Sequence, residues 1–256
     1  MRLFTSRPGN FLEPDQEAWQ IETFLWLAQH MGGTRWLADQ QIVLPNRQFF
    51  PATDLQGHAK ACFVLDCVRR QMGMQDWPCN LIAQPERPDL ILPGMPFVAS
   101  AHTSRAAGTF MASGNSVDIT YDPGEINSPW RLIAIMAHEL AHYRLASIPE
   151  PPPGAPDLEE PATDLTTIAF GFGLFGANVA FEFRGHQDYQ SIGWRTSRLG
   201  YLREREWVFG LAIMLEVGQK PSDPLRPYLK DHLWSDLASA RKSLRKRAHL
   251  LSRFRP

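Results

Sequence analysis

Apolar side chains recur every three or four residues near the start of the chain and predict its first helix. This spacing runs through residues 15–31, and Gly32 and Gly33 follow it directly. Residues three and four apart share one face of a helix, and a glycine beyond the last turn permits the left-handed backbone of a helix cap. A second helix is predicted over residues 54–72 with Asp54 as its N-cap, after an irregular stretch at 44–51.

Short runs of β-branched and aromatic residues predict a small sheet in the middle of the chain. The predicted strands cover residues 78–83, 90–92 or 97–100, 108–112 and 117–121. Gly114 and Asn115 separate the last two runs and form a turn signal, which predicts a hairpin.

A third helix is predicted where residues 130–137 are apolar on nearly every side, which is typical of a buried helix. Ser128 suits its N-cap, and Pro129 suits the first helical position. Six prolines between residues 148 and 161 then exclude regular structure and favour a stiff connector over a lid. Further helices are predicted over residues 202–217 and 228–251.

These elements predict an α+β fold in which a small mixed or antiparallel sheet packs on the buried helix, with additional helices at both ends of the chain. We expect an N-terminal helical segment at residues 1–75, a central core at 76–220 and a C-terminal helix with a basic tail at 221–256. All three are expected to form one compact domain.

The composition is that of a globular protein. The 256 residues are 44% hydrophobic and carry a formal net charge of −1, so no global field attracts nucleic acid or a membrane surface. Three cysteines without a C-x-x-C pair are expected to be buried thiols in a reducing compartment. The sequence shows no secretory signal and no run long enough to span a bilayer, so we expect a cytoplasmic protein without membrane partners.

Two further patterns have a structural interpretation and a functional one. From Arg241 onward there are seven Lys or Arg and no Asp or Glu, which favours a solvated helix end over a nucleic-acid or lipid partner. Gly171, Gly173 and Gly176 spell G-x-G-x-x-G, but they follow a predicted helix and not a strand. We therefore interpret them as packing or bend positions rather than as a dinucleotide site.

The residues that point to chemistry lie at the end of the apolar helix. His138 and His142 stand four residues apart in H-E-L-A-H, with Glu139 between them. Positions i and i+4 share one helix face, where two imidazoles can bind one zinc ion with Glu139 beside the open coordination position. Burying these groups is costly unless a cation satisfies them. The alternative is a pair of core histidines bonded to backbone carbonyls.

A catalytic zinc site usually has three protein ligands, so one more is needed. No histidine follows at the spacing of H-E-x-x-H-x-x-G-x-x-H, and the next one is His186. Glu160 and Asp164 form E-x-x-x-D, which puts both on one helix face if Pro161 lies in the first turn of a helix beginning at residue 157 or 158. The carboxylates that follow His142 most closely in the sequence, and so lie nearer to the motif than His186, are Glu150, Asp157, Glu159, Glu160 and Asp164.

In this combination of H-E-x-x-H with a downstream E-x-x-x-D, residues 138–164 resemble the gluzincin class of zinc metallopeptidases. The resemblance implies a zincin-like core that holds one zinc ion per chain, with Glu160 as third ligand and Glu159 as the alternative. It also implies that Asp164 orients a ligand histidine and that Glu139 acts as general base on water.

The resemblance further implies a peptide or protein substrate held along an edge strand, either residues 108–112 or 117–121. The class often adds a Tyr or His that stabilises the oxyanion; Tyr201 is the first candidate, followed by His186 and Tyr143. Two other functions remain open. One is a zinc-bearing interaction module without turnover, which a fourth protein ligand would favour, and the other is hydrolysis of a small amide or ester.

Overall fold

The computed structural model describes residues 9–85, 108–113, 116–184 and 202–255, and it shows a mixed α/β protein that is mostly helical. Its α-helices are α1 (Pro14–Met31), α2 (Thr34–Asp39), α3 (Gly57–Gln71), α4 (Pro129–Ala146), α5 (Glu159–Ala169), α6 (Gly173–Arg184), α7 (Glu204–Val217) and α8 (Asp231–Lys246). Its strands are β1 (Cys79–Ala83), β2 (Gly108–Ser113) and β3 (Ser116–Tyr121). Short 3-10 helices cover Pro123–Asn127, Asp223–Tyr228 and Ala248–Phe254.

The predicted glycine cap of α1 is confirmed, whereas the predicted cap of α3 is wrong. Gly32 has a φ of 113°, and its N–H donates to the Ala28 carbonyl. The helix α3 begins only at Gly57, because the backbone of Gln56, its N-cap residue, is extended with a φ of −124° and a ψ of 163°. The helix α2 has no counterpart among the predicted helices, because its six residues are too few to show a periodic pattern.

The sheet has the order β1-β3-β2. β2 and β3 pair antiparallel from Gly108↔Tyr121 to Ser113↔Ser116, which confirms the predicted pairing, and the predicted turn at 114–115 lies outside the described residues. β1 runs parallel to β3, so the sheet is mixed. Because β3 is paired on both sides, the expectation that residues 117–121 could serve as an edge strand is wrong. The predicted strand at 90–92 or 97–100 also lies outside the described residues.

The central element is α4, which contacts β2 and β3 as well as α3, α5 and α6. Every residue from 132 to 141 is buried, as the apolar run predicts. Ser128 occupies the N-cap position without a side-chain cap hydrogen bond, and Pro129 lies in the first turn. Packing on several sides therefore fixes the orientation of the helix that contains H-E-L-A-H.

Residues 147–158 connect α4 to α5 without helix or strand, and the indole N–H of Trp19 in α1 donates to the Pro153 carbonyl at 2.8 Å. The glycines of G-x-G-x-x-G permit close packing, as predicted. Gly171 has a φ of 91°, and a Cβ there would lie 2.0 Å from the Gln41 carbonyl oxygen. A Cβ on Gly176 would lie 2.2 Å from the Trp207 ring.

The C-terminal helix is shorter than predicted, because α8 begins at Asp231 and ends at Lys246. Pro227 lies inside the preceding 3-10 helix rather than at the first position of α8. The basic residues of this region pair with carboxylates of other helices, which removes much of the charge excess seen in the sequence. The pairs are Arg241 and Arg245 with Glu216, Arg247 with Glu17, and Arg253 with Glu22. Within the described ranges, no helix combines the length and apolarity needed to cross a bilayer.

Candidate metal centre

His138 and His142 lie in successive turns of α4 and direct their rings towards one point. The ring centroids are 4.7 Å apart, and the ring planes are nearly perpendicular, at 84°. The two Nε2 atoms lie 3.1 Å from each other. The i, i+4 spacing on one helix face therefore brings two ligand atoms together, as the motif predicts.

Glu160 reaches the same point from the first turn of α5. This helix begins at Glu159, so Pro161 occupies its first turn, where a missing N–H breaks no helical hydrogen bond. The Glu160 Oε2 atom lies 3.1 Å from His138 Nε2 and 3.5 Å from His142 Nε2. Two consecutive helices thus supply three ligand atoms at one point.

The separations of these three atoms fit a metal ion. Tetrahedral zinc with bonds of about 2.0–2.1 Å keeps its ligand atoms about 3.3 Å apart. The observed separations of 3.1, 3.1 and 3.5 Å lie around this value. The cluster of His138, His142 and Glu160 could therefore hold a metal ion, and it contains no fourth ligand from the described part of the chain.

The hydrogen bonds on the far side of each imidazole indicate which ring nitrogen carries the proton. His138 Nδ1 lies 3.0 Å from Asp164 Oδ1, so its N–H donates to that carboxylate. The Thr163 hydroxyl donates its single hydrogen to the Glu159 carbonyl at 3.0 Å, and its oxygen can accept from His142 Nδ1 at 3.3 Å. With one proton on Nδ1 of each ring, both Nε2 atoms would present lone pairs towards the Glu160 oxygen, and a cation between the three atoms would satisfy them together.

The charges of the cluster show how its groups are balanced in the protein without a metal ion. Burial lowers the pKa of His138, but hydrogen bonds to Asp164 and Glu160 outweigh it and raise the pKa to about 10. Burial raises the pKa of Glu160, but its contacts with His138 and His142 outweigh it and hold that pKa far below its usual range. In the metal-free protein a proton on His138 therefore supplies the positive charge, and a metal ion has to displace this proton.

Glu139 lies beside the cluster but is not one of its ligands. Its side chain is buried, and burial raises the pKa of its carboxyl although the neighbouring histidines lower it. A Cβ on Gly108 in β2 would lie 2.8 Å from Glu139 Oε1, so the strand backbone passes directly over this carboxylate. A buried carboxyl with a raised pKa is suited to accepting a proton and releasing it again.

Asp164 supports the site from the core. Its side chain is 2% exposed, and burial raises the pKa of its carboxyl. Oδ1 accepts from His138, while Oδ2 accepts from the backbone N–H of Leu202 at 2.8 Å. One carboxylate thus connects the first ligand histidine to the segment that leads into α7.

The structure does not bring every sequence candidate to the cluster. The Tyr143 hydroxyl donates to the Pro78 carbonyl at 3.3 Å, and its ring packs edge-on against Trp77. Glu159, the alternative ligand, contacts Thr163 through its backbone carbonyl, which accepts a hydrogen bond from the Thr163 hydroxyl. Tyr201 and His186 lie outside the described residues.

Sequence reasoning misses two residues that the structure brings to the site, Thr163 and Gly108. Thr163 lies three residues after Glu160, so the E-x-x-x-D spacing could have indicated it, because i+3 shares the face of i and i+4. Gly108 has no such signal, since only the packing of β2 on α4 brings it to Glu139.

Comparison with known proteins gives no relative: no family model matches the chain, and neither a curated protein nor a solved structure matches it.

Proposed function

We propose that this protein is a zinc-dependent hydrolase of gluzincin type, with a zincin-like core, and that it cleaves peptide bonds. The observation that carries the proposal is the convergence of two Nε2 atoms and one carboxylate oxygen within 3.1–3.5 Å, beside the buried carboxylate of Glu139. A site that only stabilised the fold would not need this additional carboxylate.

Zinc is the proposed ion because of the ligand set. Two imidazole nitrogens and one carboxylate oxygen suit zinc, and the same set with an open position is that of catalytic rather than structural zinc sites. A bound zinc ion supplies a Lewis acid that polarises a carbonyl and lowers the pKa of water to about 7.

The protein's own groups then handle the proton. Glu139 follows His138 directly in α4, and its buried carboxylate takes the proton from the attacking water and returns it to the leaving amine. Burial raises the pKa of this carboxyl in the metal-free protein, and a bound zinc ion would lower it, so its assignment as the base rests on its position beside the cluster. Asp164 holds the His138 imidazole in the tautomer that leaves Nε2 available.

An extended peptide is the proposed substrate because of the position of β2. In the three strands that the structure describes, β2 is an outer strand, and its first residue lies against Glu139. Outer strands bind extended peptides through backbone hydrogen bonds, so β2 would place a scissile bond near the base. A small amide or ester would make no use of this strand.

Tyr201 remains our first candidate for stabilising the oxyanion, with His186 second. What supports this choice is that Leu202, which follows Tyr201 in the sequence, donates its backbone N–H to the same Asp164 that contacts His138.

The experiment that tests the proposal measures zinc content and peptide hydrolysis on the same purified samples. Wild type should hold about one zinc ion per chain. Glu160→Gln should lose zinc, while Glu159→Gln, its neighbour and matched control, should keep it. A wild type that binds no zinc contradicts the proposal.

A second pair of measurements separates a hydrolase from a zinc-bearing interaction module. Glu139→Gln should keep the metal and lose cleavage of a peptide library, because the amide cannot take up a proton. Zinc binding without hydrolysis of any peptide in wild type would favour the interaction module.

A further inference from the structure

Three threonines of α5 make the same type of hydrogen bond, and one of them, Thr163, also contacts the candidate metal ligand His142. The hydroxyls of Thr163, Thr166 and Thr167 each donate to the backbone carbonyl four residues earlier, at 3.0, 2.8 and 3.1 Å. This bond fixes the hydroxyl hydrogen and leaves the oxygen lone pairs pointing away from it. Among the contacts of the described residues, Thr163 also lies against an imidazole, with Oγ1 3.3 Å from His142 Nδ1.

We infer that Thr163 is a positioning residue of the metal centre, which holds His142 in the tautomer that can bind the metal through Nε2. Its hydroxyl hydrogen is committed to the Glu159 carbonyl, so towards the imidazole it acts as an acceptor. A neutral imidazole has one N–H, and an acceptor at Nδ1 keeps the proton there and off Nε2. The inference rests on the proposed metal site.

The role is parallel to that of Asp164 but differs in charge. Asp164 gives His138 an ionisable acceptor, whereas Thr163 gives His142 a neutral one. Thr163 is fully buried, with an exposed fraction of 0%, and the His142 side chain is 18% exposed, so water has restricted access to this bond. The adjacent residues 163 and 164 thus orient one ligand histidine each.

The test measures zinc affinity by competition with a chromophoric chelator. Thr163→Val keeps the shape and removes the acceptor, and we expect it to bind zinc about 10- to 100-fold more weakly, as is typical when an outer hydrogen bond to a ligand is removed. Thr163→Ser restores the hydroxyl and should return the affinity close to that of wild type. Thr166→Val and Thr167→Val remove the same kind of helix bond elsewhere in α5 and should leave the affinity unchanged.

Two outcomes of the affinity measurement overturn the inference. One is wild-type zinc affinity in Thr163→Val, and the other is an equal loss in Thr166→Val or Thr167→Val, which would mean that α5 as a whole had been perturbed. Thermal unfolding of the metal-free variants checks that each one folds. A wild type that binds no zinc overturns the metal site itself, so the two failures are distinguishable.

A measurement on wild type keeps the test independent of how the variants fold. Long-range ¹H–¹⁵N spectra of the zinc-loaded protein, with His142 assigned by comparison with His142→Ala, report which ring nitrogen carries hydrogen. We expect a protonated Nδ1 that exchanges slowly with solvent, because its acceptor is buried. Rapid exchange of this proton, or a proton on Nε2, contradicts the inference.

Discussion

Gly108 of β2 lies against Glu139, the proposed base, and this contact allows us to predict the effect of Gly108→Ala. The added Cβ would lie 2.7 Å from Ile135 Cγ2 and 2.8 Å from Glu139 Oε1. Ordinary contacts between such atoms are about 3.5–4.0 Å, so each neighbour has to move by about 1 Å. Both neighbours are side chains of α4, and the Glu139 carboxylate is one of the two groups that must give way.

The magnitudes differ for stability and for activity. Overpacking of this kind costs about 1–3 kcal/mol of folding free energy. Displacing a catalytic group by about 1 Å lowers the rate by about 100-fold. The three atoms nearest to the added Cβ belong to Ile135 and Glu139 and not to a candidate metal ligand, so we expect zinc content to stay at the wild-type level while kcat/KM on an internally quenched peptide falls.

Gly210→Ala in α7 is the steric control. Its Cβ would lie 2.7 Å from Ile168 Cδ1, which is a comparable clash without a catalytic carboxylate. We expect a similar loss of stability and little loss of kcat/KM per folded molecule. Wild-type activity in Gly108→Ala would refute the reasoning, as would an equal loss of activity in the control.

Two further predictions concern stability. Zinc at 100 times its dissociation constant adds about 2.7 kcal/mol to the free energy of unfolding. Excess chelator should therefore lower the unfolding temperature of wild type by about 5–10 °C. An unchanged unfolding temperature, or the same decrease in His138→Ala, contradicts a metal in this site. Burial raises the pKa of Glu216, but the hydrogen bonds from Arg245 and Arg241 have a larger effect and lower this pKa below its value in the unfolded chain. The Glu216 carboxylate therefore stabilises the fold at any pH above the unfolded-state pKa. This stabilisation is lost as the pH falls through the pKa of Glu216 in the folded protein. The unfolding free energy of Glu216→Gln, measured in urea at neutral pH, should therefore be about 1–3 kcal/mol below that of wild type, because Arg241 is left buried without a carboxylate. If this difference in unfolding free energy stays constant as the pH is lowered, the ion pair is not its cause.

The parts of the site that the sequence predicts correctly depend on spacing within one helix. His138 and His142 meet because i and i+4 share a face, and Glu160 and Asp164 share a face for the same reason. The buried character of α4 is likewise local, since its apolar run leaves no polar side to face water. Periodicity contains this information, and no knowledge of the rest of the chain is needed.

The parts that the sequence does not predict depend on how separate elements pack. The parallel pairing of β1 with β3 joins strands that are far apart in the chain, and no local pattern distinguishes it from an antiparallel pairing. This pairing is what removes β3 from the edge of the sheet. The contact between Gly108 and Glu139 is of the same kind, because it requires β2 and α4 to be placed against each other first.

A single register between α4 and α5 determines the whole candidate metal centre. One face of α5 carries Glu160, Thr163 and Asp164 at positions i, i+3 and i+4, and it meets the i, i+4 pair of histidines on α4. Sliding α5 by one residue would remove the third ligand and both orienting acceptors together, since all three depend on the same contact between the helices. The ligand atoms and the protons on the imidazoles are therefore not independent features, and a change that shifts this contact should alter metal affinity and imidazole tautomer together.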